Sequence, residues 1–281
     1  MVALLLTVTS PCVVVSDTTP IIVGLDHIPL AVQDLTRASE AYRALGFVLK
    51  PGAWHENGIR NAHAKFPDGT EIELITAGEA RDPLTAQYVK HLAAGDGPAF
   101  VGFYAPDMAG LSRRLDRLSQ PYSRATGLLT LSAPDTLRYI FFGGRNRAPT
   151  DRPRDFAHSN GADSLIGVWL AVDDPRPERR VLTSLGATCS ERRVRVPDST
   201  NALVAELEGG EVVFLPGTRQ VGPGRPIVGA VLRTSNLEGL RRALAATHRP
   251  SRRTIEASDG RSVFVPPSDT HGIWLEFREQ R

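Results

Sequence analysis

The feature that most constrains this chain is a strand–turn–helix unit that recurs four times. Leu25-Asp26-His27-Ile28-Pro29-Leu30-Ala31-Val32-Gln33-Asp34-Leu35 reads as a short apolar strand carrying one histidine, closed by an Asp-Leu turn. Leu25, Ile28, Leu30 and Val32 come close to the period-two pattern of a strand. Ala38, Ala41, Tyr42 and Leu45 then recur at helical spacing, and Gly46 stops the run, which predicts a helix from about Thr36 to Leu45. Gly167 to Pro175 lies under His27 to Leu35 without a gap, and Leu185-Gly186-Ala187 repeats Leu45-Gly46-Phe47. Fainter copies begin at Phe100 and Gly229. Units this long are whole supersecondary modules rather than solenoid repeats.

The first module continues into three strand-like runs, Phe47-Val48-Leu49, Arg60 to Phe66 and Glu71 to Ile75, so its order is β-α-β-β-β. Glu71 and Glu73 share one face of the last strand, Ile72 and Leu74 the other. Arg81 to Leu92 reads as a connecting helix, followed by the Gly95-Asp96-Gly97-Pro98 break. In the second module Met108 to Leu118 is the expected helix, with strands at 128–131 and 138–142. In the fourth the helix runs from Leu237 to Ala246 and the last strand ends at Phe277. The expected organisation is a leader or extra segment at 1–22, modules one and two at 23–147, a linker at 148–162, and modules three and four at 163–281.

Composition narrows function mainly by exclusion. A net charge of +2 gives no bulk electrostatic reason to expect nucleic acid or a membrane as partner. Only Lys50, Lys65 and Lys90 are lysines; arginine clusters such as Arg113-Arg114-Arg117, Arg192-Arg193-Arg195 and Arg249-Arg252-Arg253 suit phosphates or carboxylates, but interspersed acids favour a solvated face. Cys12 and Cys189 alone make neither a disulfide framework nor a cysteine metal site. Val2 to Ser16 is uncharged and largely apolar, too short to span a bilayer and without the basic start of a secretory signal. The expectation is a cytoplasmic monomer or homodimer with an uncleaved start, with secretion as the alternative.

The chemistry-bearing positions repeat with the modules. His27 and Glu73 lie 46 residues apart, and the corresponding pair in the fourth module is Gly229 and Glu276. Module three offers Gly167 and Val213 at these places. One imidazole and two carboxylates suit a divalent metal such as Zn, Ni, Mn or Fe, with a carboxylate, Glu73 or Glu276, free to move a proton. His27, Glu73 and Glu276 are therefore the expected metal ligands, and His55, Asn61 and His63 the expected substrate contacts. His271 is a candidate for the ligand missing at Gly229, and His158 and His271 are otherwise turn or surface residues. Trp169 and Trp274 read as core.

These motifs, together with Gly58-Ile59-Arg60-Asn61, His158-Ser159-Asn160-Gly161-Ala162 and the ending Leu275-Glu276-Phe277, resemble the vicinal oxygen chelate superfamily, most closely its glyoxalase-like domain proteins. The resemblance implies an α+β fold of four βαβββ modules paired into two half-open barrels, whose concave faces can hold a metal. It leaves two pairings open, one with four and two with three, or one with two and three with four. Only the first brings Glu276 to His27 and Glu73. It implies either a metal-dependent lyase or isomerase of a small carbonyl or 2-oxo compound, or a metal-free protein that sequesters a small ligand, as bleomycin-resistance relatives do. An extradiol dioxygenase needs two histidines and a glutamate, and the C-terminal half supplies only Glu276.

Overall fold

A computed structural model describes residues 19–125, 127–246, 255–257 and 260–279. The expected leader at 2–16, Cys12 and the cluster at 249–253 lie outside these residues. The first module comprises β1 (Gly24–Leu25), β2 (His27–Ala31), α1 (Leu35–Ala44), β3 (Lys50–Pro51), β4 (Arg60–Lys65) and β5 (Glu71–Thr76). Helix α2 (Pro83–Leu92) leads to β6 (Gly97–Pro98), then β7 (Val101–Tyr104), α3 (Met108–Arg117), β8 (Tyr122–Ala125), β9 (Leu128–Leu131) and β10 (Ile140–Gly143). The third module is β11 (Ala162–Ala171), α4 (Arg176–Ser184), β12 (Thr188–Arg195), β13 (Ser199–Leu207) and β14 (Gly210–Leu215). The fourth is β15 (Ile227–Thr234), α5 (Leu237–Ala246), β16 (Ile255–Glu256), β17 (Ser262–Val265) and β18 (Trp274–Glu279).

Helix α1 starts where the sequence signals it: Asp34 accepts from the Arg37 backbone N–H, and Gly46 closes the far end at φ +90°. The expected strand at 47–49 is instead the buried approach to β3, with Phe47 and Leu49 facing the core. Gly97 and Pro98, expected to be a break, form the short strand β6.

Strand pairing settles which modules face each other. In the first half β1 pairs β7 and β2 pairs β6, both antiparallel, and Leu25 opposes Phe103 as Ala31 opposes Gly97. Modules one and two thus meet along their first strands, in sheets ordered β1-β7-β10-β9-β8 and β3-β4-β5-β2-β6. Modules three and four meet the same way through β11 and β15, as one sheet ordered β12-β13-β14-β11-β15-β18-β17-β16. None of the three closes into a barrel. The main core draws on all four modules, with the Phe47 ring 5.7 Å from that of Phe277.

Residues 157–162, expected to be linker, fasten the halves together. The C-terminal carbonyls of α1 lack intrahelical donors; the Asn160 side chain donates to Leu45 O at 2.9 Å, and the Ser159 N–H donates to Gly46 O at 2.9 Å. Asn160 O in turn accepts from Thr234 Oγ1 on β15 at 2.7 Å. His158 accepts from the Val48 N–H through Nδ1 and donates from Nε2 to Lys65 O, and burial holds its pKa down, so it is a neutral structural histidine.

Candidate functional site

Asp26 sits at the junction of β1 and β2, anchored by its N–H on Gly102 O at 2.7 Å. That kink turns its carboxylate back onto the next residue, and Asp26 Oδ2 lies 2.8 Å from His27 Nδ1. Alternation along β4 and β5 brings Asn61, His63 and Lys65 to the same face as Glu71 and Glu73. Asn61 Nδ2 donates to Glu73 Oε1 at 2.6 Å, and His63 Nδ1 is 3.0 Å from Glu71 Oε1. Lys65 is 2.9 Å from Asp151, which also takes Lys50. Asn146 donates to Glu71, so 144–151 forms one wall. His27 Nε2 stands 3.7 Å from Glu73 Oε2, too far for a hydrogen bond, which leaves both atoms with unused capacity toward the cleft.

The resulting cleft has a volume of about 860 Å³ and is lined by Asp26, His27, His55, Asn61, His63 and Glu73, with Lys50, Lys65 and Arg145 at its margins. Burial acts to lower the pKa of His27, but the Asp26 hydrogen bond and the charges of Asp26, Glu71 and Glu73 outweigh it and raise the value to about 9. His63 is raised against the same burial penalty by its bond to Glu71. Glu71 is lowered despite burial by His63 and His27. The cleft therefore presents an imidazolium at neutral pH. Asp26 Oδ1, His55 Nε2 and Asn61 Oδ1 are buried without a hydrogen-bond partner. Buried polar atoms are nearly always bonded, and these three exceptions sit behind the lining of the cleft, with Asn61 Oδ1 turned toward Gly52.

The expected ligand triad does not assemble. With module one paired to module two, Glu276 is on the far half and lines a different cleft, away from His27 and Glu73. The position opposing Glu73 across the first half belongs to module two. Pro29 pairs with Glu73 in β2–β5, and the matching register in β7–β10 pairs Gly102 with Phe141. Phe141 packs edge-on to His27, ring centroids 4.8 Å apart. Among the described residues no three His, Cys, Asp or Glu side chains are placed to hold one ion. Two donors and an aromatic ring do not fit a catalytic metal, which takes three protein ligands. Nor does His271 replace the missing ligand: at φ +60°, it bonds Asp96 at 2.6 Å, on the seam between the halves.

The second half shows why Gly229 stands where a ligand was expected. A Cβ there would fall 2.2 Å from the Trp169 ring, which is 1% exposed and fills the concave face. Val231 pairs with Glu276, the same place in the module as Glu73, while Gly167 pairs with Glu211, the place of Glu71. Arg278 bridges the two: its Nε and Nη2 donate to Glu276 at 2.8 and 2.9 Å, and its Nη1 to Glu211 at 2.8 Å. Ser262 Oγ adds a bond to Glu276 at 2.7 Å. A resident guanidinium thus sits between the carboxylates.

Residues 25–186 match the family model of the glyoxalase-like domain. The chain belongs to that family. Its fold is the vicinal oxygen chelate fold of two solved enzymes, catechol 2,3-dioxygenase and an extradiol ring-cleaving dioxygenase from B. fuscum. The first is 15% identical, covering 92% of this chain and 93% of that one at a TM-score of 0.61. The second is 14% identical, covering 93% and 72% at 0.64. A hypothetical protein from Staphylococcus aureus is 13% identical over 92% of this chain and all of that one, at 0.61. These likenesses establish the fold alone. No curated protein matches the sequence. No helix among the described residues of this glyoxalase-like protein is long and apolar enough to cross a membrane.

Asp26, Lys50, Lys65, Arg145 and Asn146 are lining residues that sequence reasoning missed, as are Asp151 and Phe141, which pack against the lining. Asp26 and Lys65 carried a signal, one adjoining His27 and the other alternating with Asn61 and His63. Asn146, read as the end of module two, reaches the cleft by tertiary folding, and Asp151, read as linker, stands behind it on Lys50 and Lys65.

Proposed function

We propose that this glyoxalase-like protein binds a small polar molecule in the first-half cleft without a metal. The observation that carries this reading is Phe141, which stands where a metal centre needs its next carboxylate and packs against His27 instead. His27 Nε2 and Glu73 Oε2, 3.7 Å apart, meet the ligand side by side. The imidazolium N–H donates to a carbonyl or carboxylate oxygen, and Glu73, oriented by Asn61, accepts from a hydroxyl or amine beside it. His55 supplies a further contact from the loop above.

The same pair supports a second reading as an enzyme. A carbonyl oxygen held on His27 would have its α-proton within reach of Glu73, the arrangement for metal-free enolisation of a 2-oxo or hydroxycarbonyl compound. Purified protein is expected to carry no stoichiometric divalent metal by mass spectrometry, and a library of small carbonyl and amine compounds is expected to yield ligands that His27→Gln and Glu73→Gln lose. Phe141→Glu, which supplies the absent carboxylate, is expected to gain zinc or nickel binding. Stoichiometric metal in the parent protein that Glu73→Gln removes would overturn the metal-free reading. Solvent deuterium exchange into a bound carbonyl compound separates the enzyme from the binder.

A further inference from the structure

The cations of the first cleft are not equally engaged. Asp26 faces His27, Glu71 faces His63 and Lys65, and Asp151 takes both Lys50 and Lys65. Arg145 is different. Among the described residues it is the one lysine or arginine lining the cleft with no carboxylate at salt-bridge distance. Its guanidinium is nevertheless fixed: one N–H donates to Leu25 O, and the group lies over the Tyr104 ring, 4.6 Å from its centroid. The Arg145 stem packs on the turn between β4 and β5, where a Cβ on Gly69 would fall 3.1 Å from Arg145 Cβ. A half-buried guanidinium held by three contacts, with N–H donors left over and no acid beside it, is preorganised for an oxyanion.

We propose, resting on the metal-free reading of this cleft, that Arg145 anchors a carboxylate and that the ligand is a hydroxy- or amino-carboxylate several atoms long. A planar carboxylate matches the edge of a guanidinium bidentately. Asp26, Glu71 and Glu73 share the neighbourhood, so a phosphate dianion meets more repulsion there than a monoanion does. Length follows from register. His27 pairs with Glu71 across β2 and β5, and Leu25, whose carbonyl holds Arg145, lies two residues before His27. Glu73 lies two residues after Glu71. At about 3.3 Å per strand residue, this places the anchor and Glu73 toward opposite ends of the cleft. The acid group and the hydroxyl or amine of the ligand are separated likewise.

The test is NMR titration of the full chain with 3-hydroxybutyrate, 4-aminobutyrate and 3-hydroxybenzoate, each beside its primary amide. At least one acid is expected to bind saturably, about tenfold or more tighter than its amide, as a charge-assisted pair implies. Arg145→Gln should erase that preference and leave the amide affinity unchanged, which also shows that the variant folds. Arg145→Lys, which keeps the charge and loses the fork, should retain only part of the preference. Binding of no acid, equal binding of acid and amide by the parent, a preference that survives Arg145→Gln, or tighter binding of inorganic phosphate than of any acid would each overturn the proposal. If acid and amide bind equally and His27→Gln loses both, the anchor fails while the reading of the cleft stands. If the preference falls in Arg145→Gln while His27→Gln and Glu73→Gln bind as the parent does, the anchor stands and that reading fails.

Discussion

The two clefts occupy corresponding places on repeated modules and resolve the same electrostatic problem in opposite ways. Each half carries two carboxylates on its concave face, Glu71 with Glu73 in the first, Glu211 with Glu276 in the second. Neighbouring buried carboxylates need a cation or a proton. The second half installs a permanent one, Arg278, and packs Trp169 against Gly229, at the place where the first half carries His27. The first half sets Lys65 beside Glu71 and otherwise uses His27 and His63, which can give up their charge, and it leaves the space at Glu73 open. The difference teaches that the fold preserves where charge sits, while the identity of the counter-cation decides whether a cleft can take a ligand at its centre.

Removing Arg278 tests this most severely. Glu276 is 2% exposed and would lose its bidentate partner, and Glu211 would lose one of its two. Arg278→Ala should cost about 3–5 kcal/mol, the usual result of stranding a buried charge, measured by urea unfolding. Glu73→Gln, in the open cleft, should cost less than about 1 kcal/mol. Equal losses in both variants would erase the contrast between a structural and a receptive centre.

The next contrast is in pH. His27 has a folded pKa of about 9 against an ordinary 6.5, so it binds its proton more tightly folded than unfolded. Its stabilising contribution is complete below about pH 6.5 and is lost as pH rises through about 9, up to about 3 kcal/mol in all. Arg278 does not titrate in this range, so the layer of Glu211, Arg278 and Glu276 has no counterpart to the His27 slope. Stability measured at pH 6, 7.5 and 9 should fall in the parent and fall much less in His27→Gln. A parallel fall in the variant would assign the slope to other groups.

The elements and the four modules were legible because helix stops, caps and strand alternation are local. Helix α5 spans the residues expected, and β9 likewise. The pairing was not legible, because both arrangements satisfy the same repeat. What decides it is the run from α2 through Gly97-Pro98, where β6 finds β2 by backbone bonding that no side chain announces. The lining of the first cleft was legible where chemistry and alternation coincide, at His27, Asn61, His63 and Glu73. It failed at Glu276, which follows the module pattern faithfully but belongs to the other half. Gly229 looked like a missing ligand; it is the space that Trp169 requires.

Asn160 tests the join between the halves. It is fully buried and serves the α1 terminus through its side-chain N–H and Ala162 N–H through its Oδ1. Asn160→Ala strands Leu45 O and Ala162 N–H, which should cost about 2 kcal/mol. If the halves unfold as one unit, Asn160→Ala lowers a single transition. Two resolved transitions in the parent would show that the shared core does not couple them.

The smallest expected effect on stability reports most directly on which cleft is occupied. Trp54 is 83% exposed on the loop whose Gly52, Ala53 and His55 line the first cleft. Gly52 is fixed there because a Cβ would fall 1.6 Å from Asn61 Oδ1, so the loop lies directly on the site. Trp54→Phe should change stability by less than about 0.5 kcal/mol, as exposed substitutions do. Its emission should nevertheless respond when a ligand enters the first cleft, since an exposed indole beside a filling site changes its solvation. Trp169 is buried and Trp274 partly so, both within the apolar cluster of the second half. A first-cleft ligand should therefore change the fluorescence of the parent and not of Trp54→Phe. An equal response in Trp54→Phe would place the ligand away from this loop and end the assignment of the first cleft as the receptive one.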